Sequence, residues 1–169
     1  LWEVGRKFRT PLPEGLLLDI RDTLSPEDVI FMVGRHADVV IGELLWVARC
    51  VRFDILHAVT TMARAIKCTG KTEWKILMRI IVYLRDTKTQ GIIMRKPTTQ
   101  PRPQKLRITA YADANFGMGF KVGDDIANSS RRAITGAVMF VNNTLMEYFA
   151  KRQPTTSMNT AEAEYIALS

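Results

Sequence analysis

Apolar and polar residues follow two different periods along the chain. From Ser25 to about residue 86, apolar side chains recur at spacings of three and four residues, which is typical of helices with one buried face. This pattern predicts helices over 26–34, 38–49 and 54–67, and a fourth after Gly70 with Thr72 as its N-cap. Ser25 followed by Pro26 is a helix-start signal, because serine caps a helix and proline fits its first position.

From residue 106 onward the period changes to two, which predicts strands. In the first of these, Ile108, Ala110 and Ala112 form the face that we expect to be buried. Two more strand-like runs cover 133–143 and 145–153, with Asn142-Asn143 as the hairpin turn between them. A helix capped by Thr160 follows, so the second half is predicted to be an antiparallel meander and a helix.

These patterns divide the chain into four parts and give the fold class α/β (α+β). The parts are an extended segment at 1–24, a helical region at 25–96 that includes a short strand at 91–96, a linker with three prolines at 97–104, and a second domain at 105–169.

The chain of 169 residues carries a net charge of +7, and the excess lies in one segment. Residues 71–107 contain ten basic and two acidic side chains, whereas the remainder is close to neutral. A basic stripe can follow a phosphate backbone and gain affinity by releasing counterions, although a solvated basic face is the alternative. The candidate nucleic-acid-binding residues are Lys71, Lys75, Arg79, Arg85, Lys88, Arg95, Lys96, Arg102, Lys105 and Arg107.

The remaining composition limits the functional classes. Two cysteines make no disulfide framework, so we expect a reducing intracellular compartment, either cytoplasm or nucleus, with an organelle also open. His36 and His57 lack neighbours at metal-ligand spacing and are expected to be structural. No apolar run has the roughly 18 to 20 residues that span a bilayer. Because the chain begins with Leu1, we expect it to be an internal piece of a longer translation product, or the ordered part of one.

Asp113 is the most informative single residue, because aspartate is rare in strands and this one ends a strand. A carboxylate in this position either opens a turn or serves a site.

Several motifs in register resemble the ribonuclease H domain of copia-type retrotransposon polyproteins. In the second half these are "YADANFG", "SRRAITGAVMFVNN" and "MEYFAKRQPTTSMNTAEAEYIALS". In the first half, "IGELLWVARCVRFDILHAVTTMAR" and "EWKILMRIIVYLRDTKTQGI" resemble the connection region that follows the polymerase palm. The resemblance covers about residues 38–169 and implies a partial ribonuclease H-like fold.

The resemblance implies cleavage of the RNA strand of an RNA–DNA hybrid by two Mg²⁺ ions held by carboxylates. Asp113 matches the first carboxylate of that family. Glu162 and Glu164 both match the second by position, but about 200° of helix rotation separates them, so only one can face Asp113. We favour Glu164 because "EYIAL" matches the family pattern. The predicted catalytic set is therefore Asp113, Glu164 and Glu162, with Asp113 and Glu164 as metal ligands.

The departures from the family pattern leave the activity open. Asn115 stands where the family has a second aspartate, and family hydroxyls before the glycine are replaced by Ala133 and Ile134. The family's third carboxylate lies on a fourth strand beyond the last helix, so we expect the chain as given to be inactive alone. Without that strand the sheet has an open edge that a protein partner could cover.

Two functions follow from the resemblance and its departures. One is part of a retrotransposon reverse transcriptase/ribonuclease H that binds RNA–DNA hybrid and, if complete, cleaves its RNA strand. The alternative is a domesticated, non-catalytic subunit that binds structured RNA or serves as a scaffold in a large ribonucleoprotein.

Overall fold

The computed structural model describes residues 7–16, 18–19, 25–66, 70–94, 106–115, 120–121 and 132–169. These residues form two compact units, and the boundary between them follows Gln90. The first unit contains the described residues up to Gln90 together with 120–121, and the second contains the remainder. The predicted linker at 97–104 lies outside the described residues.

The first unit is mainly helical. Its elements are β1 (Leu18–Asp19), α1 (Pro26–Gly34), α2 (Ala37–Cys50), a 3-10 turn (Phe53–Ile55), α3 (Leu56–Ala65), α4 (Lys71–Asp86) and β3 (Phe120–Lys121), which pairs in parallel with β1. All four predicted helices are present. Their apolar faces form a core in which Ile55, Val59, Met62, Leu77 and Ile80 are almost completely buried. Among the described residues, no helix is long and apolar enough to span a membrane.

Of the two helix caps predicted in the first unit, one is present and the other is not. The predicted cap of α1 is confirmed, since Ser25 Oγ accepts a hydrogen bond from the Asp28 backbone N–H at 3.1 Å. The predicted Thr72 cap is wrong, because α4 already begins at Lys71. Its Lys71 N–H donates to Asp28 Oδ1 at 3.2 Å, so a carboxylate from α1 caps α4.

A partly buried ion pair in the segment after α2 is hydrogen-bonded to the end of α4. Arg52 is 5% exposed and donates from Nε and Nη2 to the two Asp54 oxygens, at 2.9 and 2.7 Å. Tyr83 Oη donates to the same carboxylate at 2.9 Å, and Arg52 also donates to the Thr87 carbonyl at 3.0 Å. Partial burial would raise the pKa of Asp54, but the hydrogen bonds from Arg52 and Tyr83 outweigh it and hold the pKa below its usual range.

The second unit contains a three-stranded sheet and one helix. Its elements are β2 (Ile108–Asn115), β4 (Ile134–Val141), β5 (Thr144–Arg152) and α5 (Thr160–Leu168), and the strand order is β2-β4-β5, all antiparallel. The hairpin turn is confirmed, since Asn142 and Asn143 both have left-handed backbones with φ of 50° and 65°. The fold is mixed α/β and consistent with a partial ribonuclease H-like fold.

Three local predictions in this unit are wrong. Residues 91–94 form no strand, and α5 is capped by Asn159 instead of Thr160, since Asn159 Oδ1 accepts from the Glu162 N–H at 2.8 Å. Ile108 is 60% exposed, and Ala110 is exposed as well. The burial prediction fails because α5 has nine residues, a length of about 13 Å, and cannot cover a strand of about 27 Å.

Gly70 is required by the carboxylate that caps α4. A Cβ at this position would lie 2.5 Å from Asp28 Cγ, so Gly70→Ala should lower the free energy of unfolding by about 1–3 kcal/mol. Gly42, in the middle of α2, has no atom within 4 Å of such a Cβ. Gly42→Ala should therefore stabilise the protein by up to about 1 kcal/mol. Urea unfolding of both variants tests this, and equal effects would contradict the close packing at Gly70.

The Arg52–Asp54 pair should contribute a pH-dependent part of the stability. The folded pKa of Asp54 is depressed, so its contribution is present above the unfolded value of about 3.9 and is lost as the pH falls through the folded pKa. Asp54→Asn should lower the melting temperature at pH 7, and its difference from wild type should shrink towards pH 3. Glu43→Gln, at an exposed position in the middle of α2, is the control. An Asp54→Asn difference that stays constant with pH would contradict this contribution.

Candidate functional site

The candidate site lies at the C-terminal end of β2. Asp113 pairs with Gly136 of β4 and is exposed, and β2 has no partner strand on its other edge among the described residues. Since side chains alternate along a strand, Asp113 and Asn115 project from one face of the sheet and Ala114 from the other.

Small side chains let α5 approach that second face closely. Ala133 and Ala163 are 0% exposed and Ala114 is 7% exposed, and the three form one cluster with Ala167 packed against it. A methyl group on each element leaves no large side chain between helix and sheet, so the helix backbone comes near the end of β2.

Gln153 fixes the position of α5 by hydrogen bonding. Its side chain is buried, and Nε2 donates to the Ala163 carbonyl at 2.8 Å and to Thr135 Oγ1 at 3.1 Å. Its backbone N–H donates to the Ala133 carbonyl at 2.8 Å. One residue thus joins β4, the segment after β5 and the helix residue that precedes Glu164. Gln153 lies in the motif "MEYFAKRQPTTSMNTAEAEYIALS". Only the fold shows which groups it links.

Glu164 reaches the strand end from α5. Its Oε2 accepts a hydrogen bond from the Ala114 backbone N–H at 3.2 Å, and the side chain is partly buried. The carboxylate therefore lies beside the backbone of β2, one residue along from Asp113. The structure thus brings Asp113 and Glu164 to the same end of β2 from separate elements; their catalytic and metal-binding roles stay predictions.

Glu162 has a different position, at the exposed start of α5. Its Oε2 accepts from the Met158 backbone N–H at 2.6 Å, and its own N–H donates to the Asn159 cap. These bonds are those of a residue that stabilises a helix start. Of the two glutamates, Glu164 is the one whose carboxylate contacts β2 in the structure.

The basic residues predicted from the charge pattern fall into three groups. Arg95, Lys96, Arg102 and Lys105 lie outside the described residues. Three others have intramolecular partners: Arg79 donates to the Thr10 and Leu12 carbonyls and stacks on Phe8, Lys71 pairs with Glu27 at 3.4 Å, and Arg85 pairs with Asp86 at 2.8 Å. Lys75, Lys88 and Arg107 are exposed. Nucleic-acid binding by this set stays a prediction.

The charge pattern did not identify Arg132 and Arg152, which the sheet brings together. Arg152 pairs with Ile134, and the bond from the Gln153 N–H to the Ala133 carbonyl continues this pairing just before β4, so Arg132, two residues before Ile134, lies on the same face as Arg152. Burial, and then the positive charge of Arg132, lower the pKa of Arg152. The strand register could not be read from the sequence, which separates the two by twenty positions.

The hydrogen bonds of Gln153 lead to a stability prediction. Gln153→Leu removes both donors to Thr135 and Ala163, and should lower the free energy of unfolding by about 1–2 kcal/mol. It should also speed hydrogen exchange of the Ala114 amide, because α5 would no longer hold Glu164 against it. Gln90→Leu, at an exposed position, is the control. An unchanged Ala114 exchange rate in Gln153→Leu would contradict the positioning role of Gln153.

Comparison with known proteins places the chain among retroelement sequences. It is 26% identical over 164 residues to the uncharacterized mitochondrial protein AtMg00810 of Arabidopsis thaliana. These 164 residues are 97% of the chain and 60% of that protein. It is 30% identical over 127 residues to the retrovirus-related Pol polyprotein from transposon TNT 1-94 of Nicotiana tabacum, with 75% of the chain and 8% of the polyprotein covered. It is 24% identical over 165 residues to the truncated transposon Ty1-A Gag-Pol polyprotein of Saccharomyces cerevisiae, with 98% and 13% covered.

No family model and no solved structure matches the chain. The chain spans about three fifths of the Arabidopsis relative and about a tenth of the transposon polyproteins. The matches to the Arabidopsis and yeast proteins nevertheless extend over nearly the whole chain, and so over both halves of the sequence. Its homologues therefore include retrotransposon polyproteins, of which the chain matches a segment.

Proposed function

We propose that this chain forms part of a ribonuclease H-like module of a retroelement polyprotein, and that it binds an RNA–DNA hybrid and Mg²⁺. The observation that carries the proposal is the hydrogen bond from the Ala114 N–H to Glu164, which places one predicted carboxylate next to the strand end that bears Asp113. Cleavage of the RNA strand is proposed for the module to which these residues contribute.

The chemistry of the two side chains fits Mg²⁺ in part. Both offer carboxylate oxygens, which this ion prefers, and Asp113 is exposed at the strand end. Among the described residues, no group of three or more Asp, Glu, His or Cys side chains could hold a metal. Since Mg²⁺ usually keeps several waters and binds through one or two carboxylates and substrate phosphates, two acids are a compatible protein contribution.

Each residue has a defined part in this proposal. When bound, Mg²⁺ would supply an activated water and charge stabilisation at the leaving oxygen. Asp113 and Glu164 would hold the ion. The Ala114 N–H would keep the Glu164 carboxylate at the strand edge, and Gln153 would keep α5 in place. These contacts reduce the conformational freedom that Glu164 would lose on binding.

The hybrid would be recognised by shape and phosphate position, since phosphate contacts position a nucleic acid without reading its sequence. Exposed Lys75, Lys88 and Arg107 are available for such contacts. Arg79 is engaged by Thr10 and Leu12, so its contribution to binding would require the loss of those bonds.

A second candidate function is that of a non-catalytic subunit that binds RNA or a protein partner. Two observations favour it: Asn115 occupies the position of a family acid, and the outer edge of β2 has no partner strand in the described part of the chain. Such an edge can accept a strand from another protein. This function predicts binding of structured RNA without any dependence on Mg²⁺.

Magnesium titration in a calorimeter, without nucleic acid, tests the proposed metal ligands. Asp113→Asn and Glu164→Gln should each weaken Mg²⁺ binding by about tenfold or more, since each removes a charged ligand. Asp38→Asn and Glu147→Gln make the same changes at exposed positions and should bind like wild type. Glu162→Gln should also bind like wild type, because glutamine can still accept the bond at the helix start.

Three results would count against the proposal. A tenfold loss in Glu162→Gln with none in Glu164→Gln would assign the site to the other glutamate. Equal binding by all variants would remove the metal site. Tight binding of structured RNA that Mg²⁺ does not affect, together with no preference for hybrid, would favour the second candidate.

A further inference from the structure

Arg132 and Arg152 form a pair of like charges at one end of the second unit's sheet. The position of Ile134 relates the two arginines. It pairs with Arg152 across the hairpin, and Arg132 precedes it by two residues. Since the Gln153 N–H also donates to the Ala133 carbonyl, the pairing extends past the end of β4, and the two side chains leave the same face as diagonal neighbours, near enough for the charge of Arg132 to act on Arg152. Arg132 is exposed and Arg152 is half-buried.

The face that carries the pair is the one that bears Asp113. Ile134 also pairs with Asn115, and Gly136 with Asp113, so these residues share a face with the two arginines. Helix α5 packs on the opposite face, where Ala114 and Thr135 lie. The arginines are thus on the same side as the exposed carboxylate of Asp113 and are not beneath the helix.

The pair has no ion-pair partner among the described residues. Neither guanidinium forms a hydrogen bond or an ion pair with a described residue. The positive charge of Arg132 and the partial burial of Arg152 both disfavour the charged form of Arg152, with burial as the larger cause, and lower its pKa. An anion between the two groups would relieve this repulsion and satisfy their donors.

We propose that Arg132 and Arg152 form a binding site for a phosphodiester group of a nucleic-acid backbone. This inference rests on the proposed function and adds a second anchor point to it. Two interstrand spacings separate β5 from β2, so the anchor lies about 10 Å across the sheet from the strand that carries Asp113. One strand of a bound hybrid would place one phosphate at the carboxylates and another at the arginines.

The same face offers groups that suit a nucleic acid more than an acidic peptide. Tyr111 is 63% exposed and packs edge-on against Phe140, with ring centroids 6.2 Å apart. An exposed aromatic ring can stack on a base or a sugar, which an acidic peptide does not require. Asp113 on this face would also repel an acidic peptide, whereas a metal ion held there would attract a phosphate.

Hybrid binding measured over a range of salt concentrations tests the site. A fluorescent RNA–DNA hybrid is titrated with wild type, Arg132→Gln, Arg152→Gln and the double variant, and anisotropy gives the affinity. Each single variant should bind about tenfold more weakly and lose about one unit from the slope of log affinity against log salt. Lys151→Gln removes the same charge from the adjacent residue on the opposite face and should retain the wild-type slope.

One further variant and two further measurements separate this site from a folding defect. Arg152→Lys keeps the charge and loses the planar fork, so it should recover part of the affinity. Because Arg152→Gln relieves a repulsion, its melting temperature should be equal to or above that of wild type. Its Mg²⁺ affinity without nucleic acid should be unchanged.

The outcomes distinguish this inference from the proposed function. If wild type binds hybrid and the arginine variants bind it equally well, the phosphate site is overturned and the proposed function remains. An equal loss in Lys151→Gln would also overturn it, since general surface charge would then explain binding. If wild type does not bind hybrid at all, the proposed function and this site fail together.

Discussion

The second unit depends on the close packing of α5 against the C-terminal end of β2. Three alanines, Ala114, Ala133 and Ala163, are almost fully buried where helix and sheet meet, and the Gln153 amide bonds helix to sheet across that contact. Larger side chains in the cluster would push the helix outward, and Glu164 would then lose the Ala114 N–H. The position of the candidate metal ligand is thus a consequence of small residues and one buried amide.

The two faces of this sheet carry different groups. One face is partly covered by α5 and supplies the support for Glu164, while the other carries Asp113, Asn115 and the two arginines. The Glu164 carboxylate lies beside β2, the strand that carries Asp113 and that has one edge without a partner strand among the described residues. A retroelement module that holds a hybrid needs an ion site and phosphate contacts close together. As proposed, Asp113 and the arginines would supply these from one face of the sheet, on strands that lie up to two interstrand spacings, about 10 Å, apart.

Much of the secondary structure could be predicted because its signals are local. Ser25 with Pro26 started α1 where expected, and Asn142-Asn143 turned the hairpin, since each dipeptide favours one backbone conformation. Predictions that depended on distant residues failed. The start of α4 depends on Asp28 of α1, and the exposure of Ile108 depends on the length of α5. The pairing of Arg132 with Arg152 follows from strand register and could not be seen in the charge distribution.

The most direct test of the central claim is an NMR experiment with Mn²⁺ as a paramagnetic substitute for Mg²⁺. Amide signals near the bound ion broaden, so the experiment locates the ion without nucleic acid or cleavage. We expect substoichiometric Mn²⁺ to broaden the amide signals of Asp113, Ala114 and Glu164 first, and excess Mg²⁺ to restore them. Broadening centred on other acidic residues, such as Glu147 or Asp38, or no selective broadening at all, would contradict it.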